Sequence, residues 1–180
     1  MTAAFDAAVA IVLENEGGYT DDPGDPGNWT GGVVGSGQLK GTNFGISAAA
    51  YPRLDIANLT QAQAEAIYEA DYWAPIQGDA LPSGLSLIVF DGAVNSGVEQ
   101  SSVWLQQAVN VTTDGDIGPE TLAAVAGWNS GANPQPPWAL CASVLAWRLV
   151  ALGQVPDFSD FGQGWMRRVA RLAFQASQLL

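Results

Sequence analysis

Glu16 is the residue best placed to do chemistry. It lies in the run Glu14-Asn15-Glu16-Gly17-Gly18-Tyr19, just ahead of a loop that carries Asp21, Asp22 and Asp25. A protonated carboxyl paired with an ionised carboxylate is the arrangement that cleaves glycosidic bonds. One group gives a proton to the leaving oxygen, and the other stabilises the positive charge or activates water. Asp before Pro or Gly is also ordinary turn chemistry, so the three loop aspartates gain weight only as a group beside Glu16. Asp25, nine residues after Glu16, is the expected second member.

What the sequence lacks narrows the chemistry further. There is no histidine and only one cysteine, Cys141. Serine–histidine and cysteine–histidine nucleophiles are therefore excluded, as are zinc sites that need His or several thiolates. Acid–base work at neutral pH falls to carboxylates, with tyrosine as an outsider. Cys141 sits in an apolar stretch and reads as core. Asp114-Gly115-Asp116 lacks the spacing of a calcium loop. No cofactor is implied.

The elements that must position Glu16 follow from periodicity. Phe5, Ala8, Val9, Val12 and Leu13 make one apolar stripe, which predicts a helix over 3–16 with Thr2 as its N-cap. Glu16 lies on that stripe and Glu14 lies off it. Burial there raises the pKa of a carboxyl towards the range a general acid needs. A negative charge at a helix C-terminus also opposes the dipole. A rule broken without structural gain marks a functional suspect. Gly17 and Gly18 end the helix. Residues 20–44, rich in Gly, Pro and Asp, predict a long ordered loop or short strands.

The remainder predicts helices. Thr60 and Gln63 form a capping box before a helix that ends near Trp73-Ala74-Pro75. Further helices are expected from Ser83 to Gly97, from Val98 to Val109, and from Pro119 to about Trp128. Trp138–Ala151, very apolar, reads as central, and a last helix spans about 164–179. Residues 129–137 are the linker candidate. Arg167, Arg168 and Arg171 on the last helix read as the wet side of an amphipathic helix.

Aromatic side chains that could stack on a ligand are Tyr19, Trp29, Tyr72 and Trp73, and Trp29 stands out because its loop is polar. Asp91 and Asn95, polar on an apolar helix, either bond a ligand or cap a buried network. The 180 residues suit one domain with a full core, and hydrophobic residues make up 48%. A net charge of −12 with six basic residues argues against nucleic acid. No apolar run reaches the roughly 18 residues needed to span a bilayer. The start of the chain lacks signal-peptide features.

Several blocks, taken in order, resemble a known family. These are Glu16-Gly17-Gly18-Tyr19, Asp22-Pro23-Gly24-Asp25-Pro26-Gly27, Gly41-Thr42-Asn43-Phe44-Gly45-Ile46, Ile67-Tyr68 with Asp71-Tyr72-Trp73, and Phe90-Asp91-Gly92-Ala93-Val94-Asn95-Ser96-Gly97. Together they resemble glycoside hydrolase family 108, which contains phage endolysins and bacterial muramidases. Asp114–Thr121 and Gly164-Trp165 with Arg167-Arg168-Val169 resemble the predicted peptidoglycan-binding region that follows in that family.

The resemblance implies a mainly α, lysozyme-like fold with a long loop or short β region near 20–47. It divides the chain into a catalytic region over 1–110 and a peptidoglycan-binding helical region over 111–180, packed as one unit. It implies cleavage of the β-1,4 bond between N-acetylmuramic acid and N-acetylglucosamine. Glu16 would be the acid, with Asp25 and Thr42 as its helpers. Beside that likeness, the residues expected to contact the substrate are Tyr19, Trp29, Asn43, Tyr72, Asp91 and Asn95. The expected partner is bacterial peptidoglycan, met by a monomer with no stable membrane insertion. It would be held in the host cytoplasm until release, or carried on the virion. Alternatives are a lytic transglycosylase that uses Glu16 alone and a non-catalytic wall-binding module.

Overall fold

The computed structural model describes residues 2–128, 130 and 134–180. The chain forms two compact units, one of residues 9–69 and one of residues 1–8 with 70–180. The fold class is the expected one, mainly α with one small antiparallel sheet. Among the described residues, no helix is long and apolar enough to cross a membrane.

Helix α1 (Ala3–Leu13) begins where expected, with the amide of Phe5 donating to Thr2 Oγ1 at 3.3 Å. It ends three residues earlier than its stripe suggests. The amides of Asn15 and Glu16 donate to Val12 and Leu13, three residues back, so the last turn tightens and the α-helix stops. Glu16 is thus carried on a turn, half-buried, beyond the helix.

The unit of residues 9–69 then runs through loop to the hairpin β1 (Thr42–Asn43) and β2 (Ile46–Ser47). The register pairs Thr42 with Ser47 and Asn43 with Ile46. That leaves Phe44-Gly45 as a two-residue turn, with φ of +51° and +75°. Positive φ at both turn residues matches the twist of a tight hairpin. The loop before it is ordered by two isolated bridges, Thr20 with Thr42 and Trp29 with Leu39. Between Trp29 and Leu39 the chain makes a narrow excursion, held by Thr30 and Gln38 and exposing Val33 and Val34. Helix α2 (Gln61–Tyr68) closes the unit with the capping box of Thr60 and Gln63 formed in both directions.

The expected helix ending near Trp73 finishes as a π-helical turn over Glu69–Trp73, which leads from that unit into the other one. Helices α3 (Ser83–Ser96), α4 (Val98–Val109) and α5 (Pro119–Trp128) lie where the sequence places them. Helix α6 (Pro137–Leu152) and helix α7 (Phe158–Ser177) follow, and α7 starts six residues before the expected position. The expected linker falls partly on residues 129 and 131–133, which lie outside the described residues.

The central helix of this unit is α3, and α6 is not. Every residue from Gly84 to Ala93 is buried, and α4, α6 and α7 all pack on α3. Helix α6 is as apolar but lies on the outside, with Trp138, Trp147 and Val150 exposed. Apolar content alone does not rank two such helices, because their neighbours decide which is enclosed. Phe5, Trp73 and Phe90 meet edge-on, with centroids 5.4–6.0 Å apart, and anchor the core.

Candidate active site

The hairpin tip brings backbone, a carboxylate and a phenol together. A Cβ placed on Gly45 would lie 2.8 Å from Glu16 Oε2 and 2.5 Å from the Tyr68 hydroxyl. Glu16 therefore rests against the bare backbone of Gly45, and only glycine fits between it and Tyr68. The Tyr68 hydroxyl donates to the Phe44 carbonyl at 2.9 Å. That bond helps hold Phe44, a non-glycine residue, in the left-handed region, which costs energy and recurs at functional sites.

Thr42 lies one turn of the ladder away. Its backbone exchanges two bonds with Thr20, at 2.8 and 2.9 Å, and its hydroxyl donates to Asn28 Oδ1 at 2.7 Å. Asn28 is fully buried and acts as a hub. Its Nδ2 donates to the Asp22 carbonyl at 3.0 Å, and its own carbonyl accepts the amides of Lys40 and Gly41. The hub ties the acidic loop to β1. Asn28 carried no signal in the sequence, where it reads as one more polar residue of a Gly-rich loop. Tyr68 was legible only as a member of the block Ile67-Tyr68, with no role attached.

Asp25 is exposed, and its Oδ1 accepts from the amide of Gly27 at 2.8 Å, capping a short 3₁₀ turn over Pro26–Asn28. Asp22 does the same for Gly24 at 2.8 Å. The repeat Asp-Pro-Gly-Asp-Pro-Gly thus folds as two successive Asx turns. Trp29 donates its indole N–H to the Pro23 carbonyl at 3.0 Å and is half-buried on its own loop. Asn43 is buried and donates to the carbonyls of Ile56 and Leu59 at 3.2 and 3.4 Å, a bracing contact. Tyr19 is 45% exposed.

Tyr72, Asp91 and Asn95 belong to the other unit. Tyr72 is half-buried in the π-helical turn. Asp91 is 1% exposed and ion-paired twice. Arg148 Nη1 meets Oδ2 at 2.7 Å, and Arg168 reaches Oδ1 through Nη2 at 2.7 Å and Nε at 3.0 Å. Asn95 donates to the Asp91 carbonyl at 2.7 Å. Of the two readings open for Asp91, the buried network is the one formed. It also turns Arg168 inward, away from the wet side expected of it. Burial pushes the Cys141 thiol up to about 11, which suits a core residue.

The description "Glycosyl hydrolase 108" fits residues 9–97, a span that contains Glu16, the hairpin, Tyr68 and Asp91. Among solved structures, the chain is similar to one titled "Structure of Brucella abortus SagA". The two share 33% identity with a TM-score of 0.79, over 97% of this chain and 94% of that one. The chain belongs to the glycosyl hydrolase 108 family. No curated protein matches it. As a glycosyl hydrolase 108 protein it is a glycoside hydrolase, and in the broad sense a peptidoglycan hydrolase. The half-buried Glu16 and the Asp-rich loop both fall inside the matched span.

Proposed function

We propose that the chain is a muramidase, cutting the β-1,4 bond between N-acetylmuramic acid and N-acetylglucosamine with Glu16 as the general acid. The observation that carries this reading is the seat of Glu16. Its carboxyl rests beside the Phe44-Gly45 tip, bracketed by Tyr68, and is neither a free surface group nor a fully buried one. A general acid needs such partial enclosure. It must reach the leaving oxygen, and it must be held in one orientation while it does so.

The reaction then follows from the groups at hand. Glu16 protonates the glycosidic oxygen as the bond to the sugar carbon lengthens. Positive charge builds on the ring, and a carboxylate of the loop, Asp25, stabilises it or orients the attacking water. Because the Thr42 hydroxyl spends its proton on Asn28, it meets a water as an acceptor and can align that water's lone pair towards the sugar carbon. The water's proton returns to the enzyme, and the acid is restored.

A second reading rests on Asp25. Its carboxylate caps Gly27, which favours a reaction run by Glu16 alone. In that case the 6-hydroxyl of the muramic sugar attacks in place of water and leaves an anhydro product. Digestion of purified peptidoglycan by the native protein and by Glu16→Gln, with mass spectrometry of the products, separates the two. We expect muramic reducing ends from the native protein and at least a hundredfold less from Glu16→Gln (roughly the size of a lost general acid). Anhydro-muramic ends would install the second reading. Undiminished cleavage by Glu16→Gln would sink both.

A further inference from the structure

The unit of residues 9–69 holds eight carboxylates, namely Glu14, Glu16, Asp21, Asp22, Asp25, Asp55, Glu65 and Glu69, and only two cations, Lys40 and Arg53. Both cations line one open groove of about 320 Å³, together with Tyr19, Leu39 and Asp55. The volume is that of a site for one or two sugar rings. Tyr19 follows Glu16 by three residues, so one short stretch of chain carries both the acid and a wall of the groove.

The groove is built from residues that are exposed yet held. Tyr19 is 45% exposed, but its ring lies on the backbone of Gly41. A Cβ there would come within 2.7 Å of ring carbon Cε2, and Gly41 has φ +84°. Leu39 is 38% exposed. Lys40 donates its ammonium to the Pro52 carbonyl at 2.7 Å and more loosely to that of Leu54 at 3.4 Å, which fixes the Arg53 segment from both sides. Arg53 itself is exposed. Asp55 turns Oδ2 to Asn58 Nδ2 at 3.0 Å. An aromatic ring and a guanidinium lining one groove suit a sugar ring that carries a carboxylate. The ring stacks on the phenol, and the acid takes the planar fork of the arginine.

We propose that this groove is a binding subsite for an acidic saccharide, with Tyr19 under the sugar ring and Arg53 on the carboxylate. Resting on the peptidoglycan reading above, it names the part of that polymer the unit selects. Two carboxylates of the polymer share this chemistry, the lactyl acid of a muramic sugar and the acids of its stem peptide. Lys40 orders the loop and adds positive potential. In a chain of net charge −12, this groove sets both cations of the unit against one carboxylate, Asp55, so a negatively charged polymer meets less repulsion here than at the acidic loop.

The test uses three soluble probes, titrated calorimetrically into the native chain, Arg53→Gln and Tyr19→Ala. The probes are the neutral disaccharide of two N-acetylglucosamines, N-acetylglucosaminyl-N-acetylmuramic acid with its lactyl acid free, and the same disaccharide carrying a stem peptide. None contains the bond the proposed muramidase cleaves, so binding is read independently of turnover. We expect the native chain to prefer an acidic probe over the neutral one. Arg53→Gln should lower that preference about three- to tenfold and leave neutral binding unchanged. Added salt should erode the preference as well.

Tyr19→Ala should weaken all three probes together. A preference confined to the free-lactyl disaccharide assigns the lactyl acid, and one confined to the peptide-bearing disaccharide assigns the stem. No binding of any probe, no acidic preference, or a preference untouched by Arg53→Gln overturns the proposal. Failure to digest peptidoglycan would overturn the muramidase reading and leave these titrations standing.

Discussion

At the scale of single residues, the decisive one is the smallest. Gly45 lets Glu16 and Tyr68 close on its backbone by having no side chain, in a backbone conformation that other residues resist. Gly45→Ala meets two penalties together. The left-handed φ costs an L-residue about 1–2 kcal/mol. The new methyl also overlaps Glu16 Oε2, 2.8 Å away, and the Tyr68 hydroxyl, 2.5 Å away. We expect Gly45→Ala to lose about 1–3 kcal/mol of stability in urea titrations. Digestion should slow by about a hundredfold if Glu16 is the acid proposed above, since an ångström's displacement of a reacting group costs on that order. Native stability with native turnover would show that the tip does not position the acid.

At the scale of elements, polar side chains join segments that periodicity treats as separate. Asp114-Gly115-Asp116 is such a joint. Gln106, on α4 and 1% exposed, donates to Asp114 Oδ1 at 2.6 Å and to the Asp116 carbonyl at 2.9 Å, and accepts the amide of Gly115 at 2.9 Å. The turn ahead of α5 is therefore a structural clasp. The Asp116 amide, and then Gln106, hold the Asp114 carboxyl below its usual range.

A depressed pKa in the folded state gives stability that is present above the unfolded value, roughly 3.9. It is lost as pH falls through the folded one. Asp114→Asn removes that titration. The stability gap between native and Asp114→Asn proteins should be open at pH 6–7 and should narrow below about pH 4, as followed by thermal melts. A gap that is constant with pH would mean the clasp does not depend on charge.

At the scale of the whole molecule, helices on either side of position 110 pack against one another within residues 70–180. α3 is enclosed by α4, α6 and α7, and α6 packs on α4 as well. Asp91 of α3 is held by Arg148 of α6 and Arg168 of α7. A chain ending at Val109 would bare the apolar side of α3 and leave Asp91 without either guanidinium. Removing the partners of a buried charge costs about 3–5 kcal/mol before any lost packing is counted. We expect that truncation to lose its cooperative thermal transition by circular dichroism and to aggregate. A soluble fragment with a sharp transition would show that α6 and α7 are dispensable for folding.

Much of this was legible in the amino-acid order because its causes are local. The caps at Thr2 and Thr60, Pro119 at the start of α5 and the limits of α4 depend on residues within one or two turns. The sequence by itself also narrowed the chemistry, since a chain without histidine leaves carboxylates for acid–base work, and the ordered blocks around Glu16 carried the family likeness. Only the tertiary structure decided which apolar helix is central, that Glu16 stands past its helix against Gly45, that Asn28 is the hub behind Thr42, and that Arg168 turns inward to Asp91. Those facts rest on contacts between residues 14 to 77 positions apart. At such separations a local pattern states what a residue could bond, and packing selects which partner reaches it.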